Sequence, residues 1–249
     1  MPTVLWSSLF TSVNSSTDAD PGLPRRLLRH LFLPQHLGMG GRLLDVGCGT
    51  GELTRFLDLL SVETVGIDAS PAMIHAARLA APHIDYFCAD PDQALPVEDH
   101  YFEFVLARDL AVHQRNLLSF EAFATTANLL ATLRPDGELV LLAREDHDGG
   151  QHDDWHTPNC LAHHLSAFPG MCRVVYLNDW LTPPSAWRWI VEHQPRPGYL
   201  TATLKIPNRL ISRQEWLDFA VAADERSDQP CCAWCRLHGD DTESIREAA

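Results

Sequence analysis

The sequence predicts an α/β fold in which a mostly parallel sheet lies between layers of helices. From residue 42 onwards, short apolar strands alternate with helical segments, a pattern typical of parallel sheets. The first of these strands, Leu43–Val46, runs into a turn of three glycines before a helix begins at Glu52. The chain has 249 residues, enough to bury one good core, so a single domain is the economical interpretation.

The glycine turn is the most informative segment of the chain. Gly47, Gly49 and Gly51 stand at alternate positions after Asp45 and let the backbone approach a ligand with no Cβ in the way. The dinucleotide fingerprint has its third glycine one position later, where this chain has Glu52, and a carboxylate there would repel a pyrophosphate. The turn therefore favours a ligand without phosphate, and its carboxylates would suit a positively charged one.

The segment Leu44–Gly51 resembles motif I of the class I S-adenosylmethionine-dependent methyltransferases. The later elements follow the order of that family over residues 40–143. Asp68 ends a second strand 17 residues beyond Gly51, and Asp90 follows a third strand, Asp85–Cys88. The resemblance implies a doubly wound, mostly parallel sheet of seven strands, with S-adenosyl-L-methionine across the carboxyl ends of the first strands.

The resemblance also implies roles for individual residues. Asp68 would accept both ribose hydroxyls, and Asp90, with Asp92 as a neighbouring alternative, would meet the adenine amino group. Arg108 and Asp109 follow the fourth strand and would lie near the reacting methyl group. The expected cofactor-binding residues are Asp45, Gly47, Cys48, Gly49, Gly51, Asp68, Ala69, Met73, Ala89, Asp90 and Arg108.

Methyl transfer needs an acceptor held in line with the methyl group, and a general base only where the acceptor must lose a proton. His113 is the candidate base, because it lies six residues after the fourth strand, Tyr101–Ala107, near the ligand-binding edge. It could instead cap or pack the following helix. Asp109 could orient an acceptor or pair with Arg108.

The sequence also predicts the elements beyond the fourth strand. A turn at Asp136–Gly137, with the glycine at positive φ, should lead into a fifth strand. The sixth strand is either 173–177 or 187–192, and the choice stays open. The remaining predictions are a helix over 117–133, a short helix over 160–168, a hairpin of 187–192 with 199–206, and a helix through Ala222 opened by a capping box at Ser212–Glu215.

The predicted organisation places a methyltransferase domain at 24–223 between two flanking segments. Its core is 40–143 and its substrate-side additions are 144–223, with a mobile arm at 1–23, a helix at Pro24–Leu37 and a tail at 224–249. Two groups of residues are possible metal ligands: the acids and histidines at 146–156, and Cys231, Cys232, Cys235 and His238. Neither has a complete ligand spacing, so no metal is predicted.

The charge and cysteine content of the chain indicate which partners and which compartment to expect. Asp and Glu outnumber Lys and Arg by 33 to 19, giving a net charge of −14, which disfavours nucleic acid and anionic membranes as partners. No apolar run is long enough to span a membrane, and seven cysteines without an export signal fit a reducing compartment. We therefore expect a cytoplasmic enzyme acting on a small-molecule acceptor, with a homodimer as one option. The alternatives are a non-catalytic binding protein for S-adenosylmethionine or S-adenosylhomocysteine, and a protein methyltransferase.

Overall fold

The computed structural model describes residues 41–145, 158–177 and 198–225. Its strands are β1 (Arg42–Val46), β2 (Glu63–Asp68), β3 (Asp85–Cys88), β4 (Phe102–Arg108), β5 (Leu133–Glu145), β6 (Met171–Leu177) and β7 (Gly198–Lys205). Its helices are α1 (Glu52–Asp58), α2 (Pro71–Ala80), α3 (Ala111–Arg115), α4 (Phe120–Ala131), α5 (Pro158–Leu165) and α6 (Arg213–Asp224).

The described strands form one seven-stranded sheet in the order β3-β2-β1-β4-β5-β7-β6. Strands β1 to β5 pair in parallel, and β7 runs antiparallel to both β5 and β6. The predicted seven-stranded, mostly parallel sheet is confirmed. Because the chain passes from β1 outwards to β3 and then returns to β4, the strand order reverses beside β1, where open sheets bind their ligands.

Both faces of the central strands are covered, which explains their continuous apolar sequence. Leu44 and Val46 of β1 belong to the large apolar cluster that includes residues of α4, α5 and α6. Leu43, on the opposite face, packs with residues of α1 such as Phe56 and Leu57. The sheet is thereby fixed on both sides, and the ends of its parallel strands form a rigid carboxyl edge, at Val46, Asp68, Cys88 and Arg108.

The structure resolves the open question about the sixth strand and corrects the predicted hairpin. Residues 171–177 form β6, and residues 198–205 form β7. The hairpin pairing is wrong, because one edge of β7 pairs with β5 and the other with β6. The other half of that hairpin, 187–192, lies outside the described residues.

Two further predictions need correction. The helix predicted over 117–133 begins at Phe120 and is separate from α3, because Asn116 is extended and Ser119 caps α4 by accepting from Ala122 N. The predicted turn lies inside β5, near its start, and its positive φ, 65°, falls on Asp136. Gly137 is needed instead for close approach, since a Cβ there would lie 2.8 Å from the Arg134 carbonyl oxygen.

Other local predictions are confirmed. Ser70 caps α2 with Pro71 in its first turn, and the capping box of Ser212 and Glu215 opens α6. The arm, the helix at 24–37, the loop at 146–156, the cysteine group at 231–238 and the tail beyond 225 lie outside the described residues. Of the helices that the structure describes, none combines the length and apolarity needed to cross a membrane.

Candidate cofactor site

The glycine turn lies between the ends of β2 and β4. Gly47, Gly49 and Gly51 all have positive φ, at 77°, 58° and 74°. The backbone N–H groups of Gly47 and Cys48 donate to the Ile67 carbonyl at 2.8 and 3.0 Å, which ties the turn to β2. On the other side, a Cβ on Gly47 would lie 2.1 Å from the Arg108 carbonyl oxygen. Only glycine can bring these backbones so close.

Asp68, the expected ribose ligand, ends β2 with its carboxylate directed at the glycine turn. Its Oδ2 accepts from the backbone N–H of Gly49 at 2.9 Å. Its Oδ1 accepts from the backbone N–H of Ser70 at 2.8 Å. These two bonds orient the carboxylate and hold it between the turn and the start of α2.

Asp45 makes contacts that the sequence did not predict. Its side chain is fully buried, and its Oδ2 accepts from the Thr54 hydroxyl at 2.8 Å. Arg108 forms a bidentate ion pair with it, from Nε to Oδ1 at 3.0 Å and from Nη2 to Oδ2 at 3.1 Å. In the structure this carboxylate faces Arg108 and Thr54 inside the protein, and its part in binding a charged ligand stays a prediction.

Arg108 stays charged in this buried setting. Burial opposes its charge, but the carboxylate of Asp45 outweighs that effect, with a smaller contribution from Asp109, so the pKa of the guanidinium is raised. Asp109, next along the chain, has a φ of 49°, which is uncommon for a residue with a side chain. The backbone thus turns sharply at the carboxyl edge immediately after β4.

Cys48 and Tyr86 form the support beneath the turn. The Cys48 side chain is buried among residues of α2 and β3, and burial raises the pKa of its thiol, which keeps it neutral. The Tyr86 ring occupies the space where a Cβ on Gly51 or on Gly66 would lie, 2.5 Å away in each case. The sequence analysis did not identify Tyr86. The feature that could have indicated it is the pairing of β2 with β3, which places the bulky Tyr86 opposite the small Gly66.

The structure separates the two acids that follow β3. Asp92 accepts a hydrogen bond from the buried Thr125 hydroxyl of α4 at 2.9 Å, which anchors it to the helix layer. Asp90 is exposed, and its Oδ1 accepts from the backbone N–H of Asp92 at 3.0 Å. The anchoring of Asp92 therefore favours Asp90 as the acid presented at the carboxyl edge.

Three further residues expected to bind the cofactor, Ala69, Met73 and Ala89, follow the ends of β2 and β3. Ala69 follows Asp68 directly, and the backbone N–H of Ala89 donates to the Asp68 carbonyl at 3.1 Å. Met73, in the first turn of α2, is 44% exposed, an uncommon position for a large apolar side chain. Ala69 and Ala89 thus lie next to Asp68, one along the chain and the other through this backbone hydrogen bond.

His113 lies in the helix layer rather than at the open edge. It is 8% exposed, and its Nε2 lies 3.0 Å from the Thr126 hydroxyl of α4. The same hydroxyl lies 2.7 Å from Nε2 of His164 in α5, whose Nδ1 lies 2.6 Å from the Leu117 carbonyl. Since a carbonyl only accepts, His164 carries its proton on Nδ1. These contacts, which the sequence did not reveal, support the packing role for His113, and its catalytic role stays a prediction.

Comparisons with known proteins agree with this geometry. The family described as "Methyltransferase domain" matches residues 43–137, which run from β1 to the start of β5 and include the whole glycine turn. Residues 43–137 therefore form a domain of the class I S-adenosylmethionine-dependent methyltransferases. The predicted family is thereby confirmed.

Two curated relatives of this chain differ in what their names say they act on. The chain is 35% identical over 134 residues to the ribosomal protein L11 methyltransferase of Ralstonia pickettii, covering 50% of the chain and 41% of that protein. It is 34% identical over 106 residues to the ubiquinone biosynthesis O-methyltransferase of a Bradyrhizobium species, covering 41% of the chain and 39% of that protein. The chain thus spans about two fifths of the length of each relative.

Solved structures share the fold at low sequence identity. A S-adenosylmethionine-dependent methyltransferase from Archaeoglobus fulgidus matches with a TM-score of 0.51 and 16% identity, over 74% of this chain and 92% of that one. The cyclase SpnF matches with a TM-score of 0.53 and 19% identity, over 82% and 93%. Within the described parts of this methyltransferase, no group of three or more His, Cys, Asp or Glu side chains is arranged to hold a metal.

Proposed function

We propose that this methyltransferase binds S-adenosyl-L-methionine at the carboxyl edge and transfers its methyl group to an oxygen, nitrogen or carbon atom of a small molecule. The observation that carries the proposal is the placement of Asp68. Its carboxylate is fixed by the Gly49 and Ser70 amides at the end of β2, beside the glycine turn. A fixed carboxylate there suits a pair of ribose hydroxyls, since each of its oxygens can accept more than one hydrogen bond.

The residues around Asp68 fit an adenosyl group without phosphate. A Cβ on Gly49 would meet no atom within 4 Å, so the turn leaves open space for a ligand there. Ala69, Ala89 and the exposed Met73 would flank the adenine, and Asp90 would accept from its amino group. The nearby charges also favour a sulfonium over a pyrophosphate, because the carboxylate of Asp68 lies at the turn and Glu52 stands in the first turn of α1.

The bound cofactor supplies an electrophilic methyl group, and the chain must hold an acceptor within about 3 Å of that methyl, shielded from water. Asp109, at the sharp turn after β4, is the residue we propose to orient the acceptor. The backbone there is held against Gly47, so the side chain is presented from a fixed position. His113 would act as a base only if it left its contact with Thr126.

The choice of a small-molecule acceptor is supported by the ubiquinone-pathway relatives and by the acidic charge of the chain. The relative named for ribosomal protein L11 favours a protein acceptor as the second candidate. A chain that binds the cofactor without turnover is the third, because a fold does not by itself establish catalysis.

The experiment is an incubation of the purified protein with methyl-labelled S-adenosylmethionine and two sets of acceptors. One set contains small phenols, amines and acids, and the other contains ribosomal protein L11. We expect label in a small molecule, and none when Asp68→Ala replaces the wild type. Label confined to the protein acceptor would contradict the proposed substrate class. Failure of the wild type to bind the cofactor would contradict the proposal as a whole.

A further inference from the structure

We infer that Asp45 is a positioning residue that acts on the bound cofactor through Arg108, and that Arg108 presents its remaining N–H groups to the cofactor. This inference rests on the proposed function. It differs from the expectation based on the sequence, in which the Asp45 carboxylate itself would favour the positive sulfonium.

The burial of Asp45 argues against direct contact with a ligand. Its side chain has no exposed surface, and both of its oxygens accept hydrogen bonds from the protein. Oδ1 accepts from Nε of Arg108, and Oδ2 accepts from Nη2 of Arg108 and from the hydroxyl of Thr54. A ligand could reach this carboxylate only by displacing a charge-assisted, bidentate pair.

The same contacts determine the position of Arg108. The fork formed by Nε and Nη2 is used by Asp45, and the Arg108 side chain remains 15% exposed. Its carbonyl oxygen lies against Gly47, so both its backbone and its side chain are held beside the glycine turn. Among the described residues, Asp45 is the hydrogen-bonding partner of the Arg108 side chain. Its carboxylate accepts from Nε and Nη2, and Nη1 makes no hydrogen bond with it.

The charges then assign different tasks to the two residues. The Asp45 carboxylate holds the guanidinium in place through Nε and Nη2. The remaining N–H groups of Arg108 can still donate to an anion. The anionic part of the cofactor is the carboxylate of its methionine moiety, which S-adenosylmethionine and its demethylated product, S-adenosylhomocysteine, both carry.

This shared group makes the inference testable by comparing the two ligands, because only S-adenosylmethionine carries the positive sulfonium. Calorimetric titrations of both would be made on wild type, Asp45→Asn, Arg108→Gln and the double variant. We expect each single substitution to weaken both ligands by a similar factor, about tenfold. We expect the double variant to bind no more weakly than Arg108→Gln, since the two residues act in one chain of contacts.

Glu103→Gln is the matched control. Glu103 forms ion pairs with Arg42 and Arg134 and thereby links β1 to β4 at the opposite end of the two strands that Asp45 and Arg108 join. We expect its affinities for both ligands to equal those of wild type. An equal loss of affinity in Glu103→Gln would mean that loosening the link between β1 and β4 is enough to weaken ligand binding. That result would overturn the inference.

Other outcomes are also decisive. Weaker binding of S-adenosylmethionine alone in Asp45→Asn would make Asp45 a direct partner of the sulfonium, and unchanged binding of both ligands would remove it from the site. Should Asp45→Asn fail to fold, Arg108→Lys keeps the charge but loses the bidentate geometry, and it should weaken both ligands equally. A preference for one ligand in Arg108→Lys would contradict the inference. Absence of binding by the wild type would contradict the proposed function instead.

Discussion

The close approach of the glycine turn to β4 gives a quantitative prediction for two neighbouring substitutions, Gly47→Ala and Gly49→Ala. Both glycines have positive φ, so alanine at either position carries a backbone strain of about 1–2 kcal/mol. At Gly49 that strain is the whole cost, since the added Cβ meets no atom within 4 Å. At Gly47 the Cβ would lie 2.1 Å from a backbone oxygen, which cannot move without shifting the end of β4.

We therefore expect Gly47→Ala to lower the free energy of unfolding by about 3–5 kcal/mol and Gly49→Ala by about 1–2 kcal/mol. Urea denaturation, followed by circular dichroism, measures both values against wild type. The order of the two variants should reverse when their affinity for S-adenosylmethionine is measured instead. Because the open side of Gly49 is the proposed ligand side, folded Gly49→Ala should bind S-adenosylmethionine about tenfold more weakly despite its small loss of stability.

Equal losses of stability in the two variants would refute this reasoning, because the position of the Arg108 carbonyl would then have no effect. Unchanged cofactor affinity in Gly49→Ala would show that the ligand does not occupy the space beside that glycine. Each result tests a separate part of the geometry.

Three further predictions concern single side chains. Asp68→Ala should weaken cofactor binding by about 1–3 kcal/mol through lost charge-assisted hydrogen bonds, measured by calorimetry, and an unchanged affinity would remove Asp68 from the site. His113→Gln should lower stability by about 1–2 kcal/mol through its lost contact with Thr126 and leave turnover intact; a hundredfold loss of kcat in the folded variant would instead identify a base. Glu138 is buried, and burial raises its pKa above the ordinary 4.5, so the fold disfavours its charged form. The wild type therefore loses stability relative to Glu138→Gln as the pH rises through that raised pKa, so the variant should be the more stable protein at neutral pH, with the difference vanishing below pH 4.5. A difference that does not change with pH in urea denaturation would contradict this.

The parts of the site that the sequence predicted are those fixed by local patterns. The glycines of the turn and Asp68 each follow an apolar strand directly, so their place at the carboxyl edge follows from the strand pattern alone. The pairing of Asp45 with Arg108 could not be read in this way, because the two residues are 63 positions apart and meet only when β1 and β4 pair. The contact of His113 with His164 through Thr126 likewise depends on how α3, α4 and α5 pack.

The errors in the second half of the chain have a similar cause. Residues 173–177 and 187–192 both have the pattern of a strand. Only the pairing of β7 with β5 and with β6 shows which strands lie beside β7. At Asp136 the positive φ was expected on the glycine, the usual residue for that conformation. There the crowding of Gly137 against Arg134, which no local pattern reveals, decides which residue must be glycine.

The most direct test of this account is native mass spectrometry of the wild type and Asp68→Ala, each mixed with S-adenosyl-L-methionine. The account predicts one bound cofactor per wild-type chain, and little or none on Asp68→Ala at the same ligand concentration. A wild-type chain that stays unliganded, or a variant that binds as well as the wild type, would contradict the claim that this turn and its carboxylate hold the cofactor.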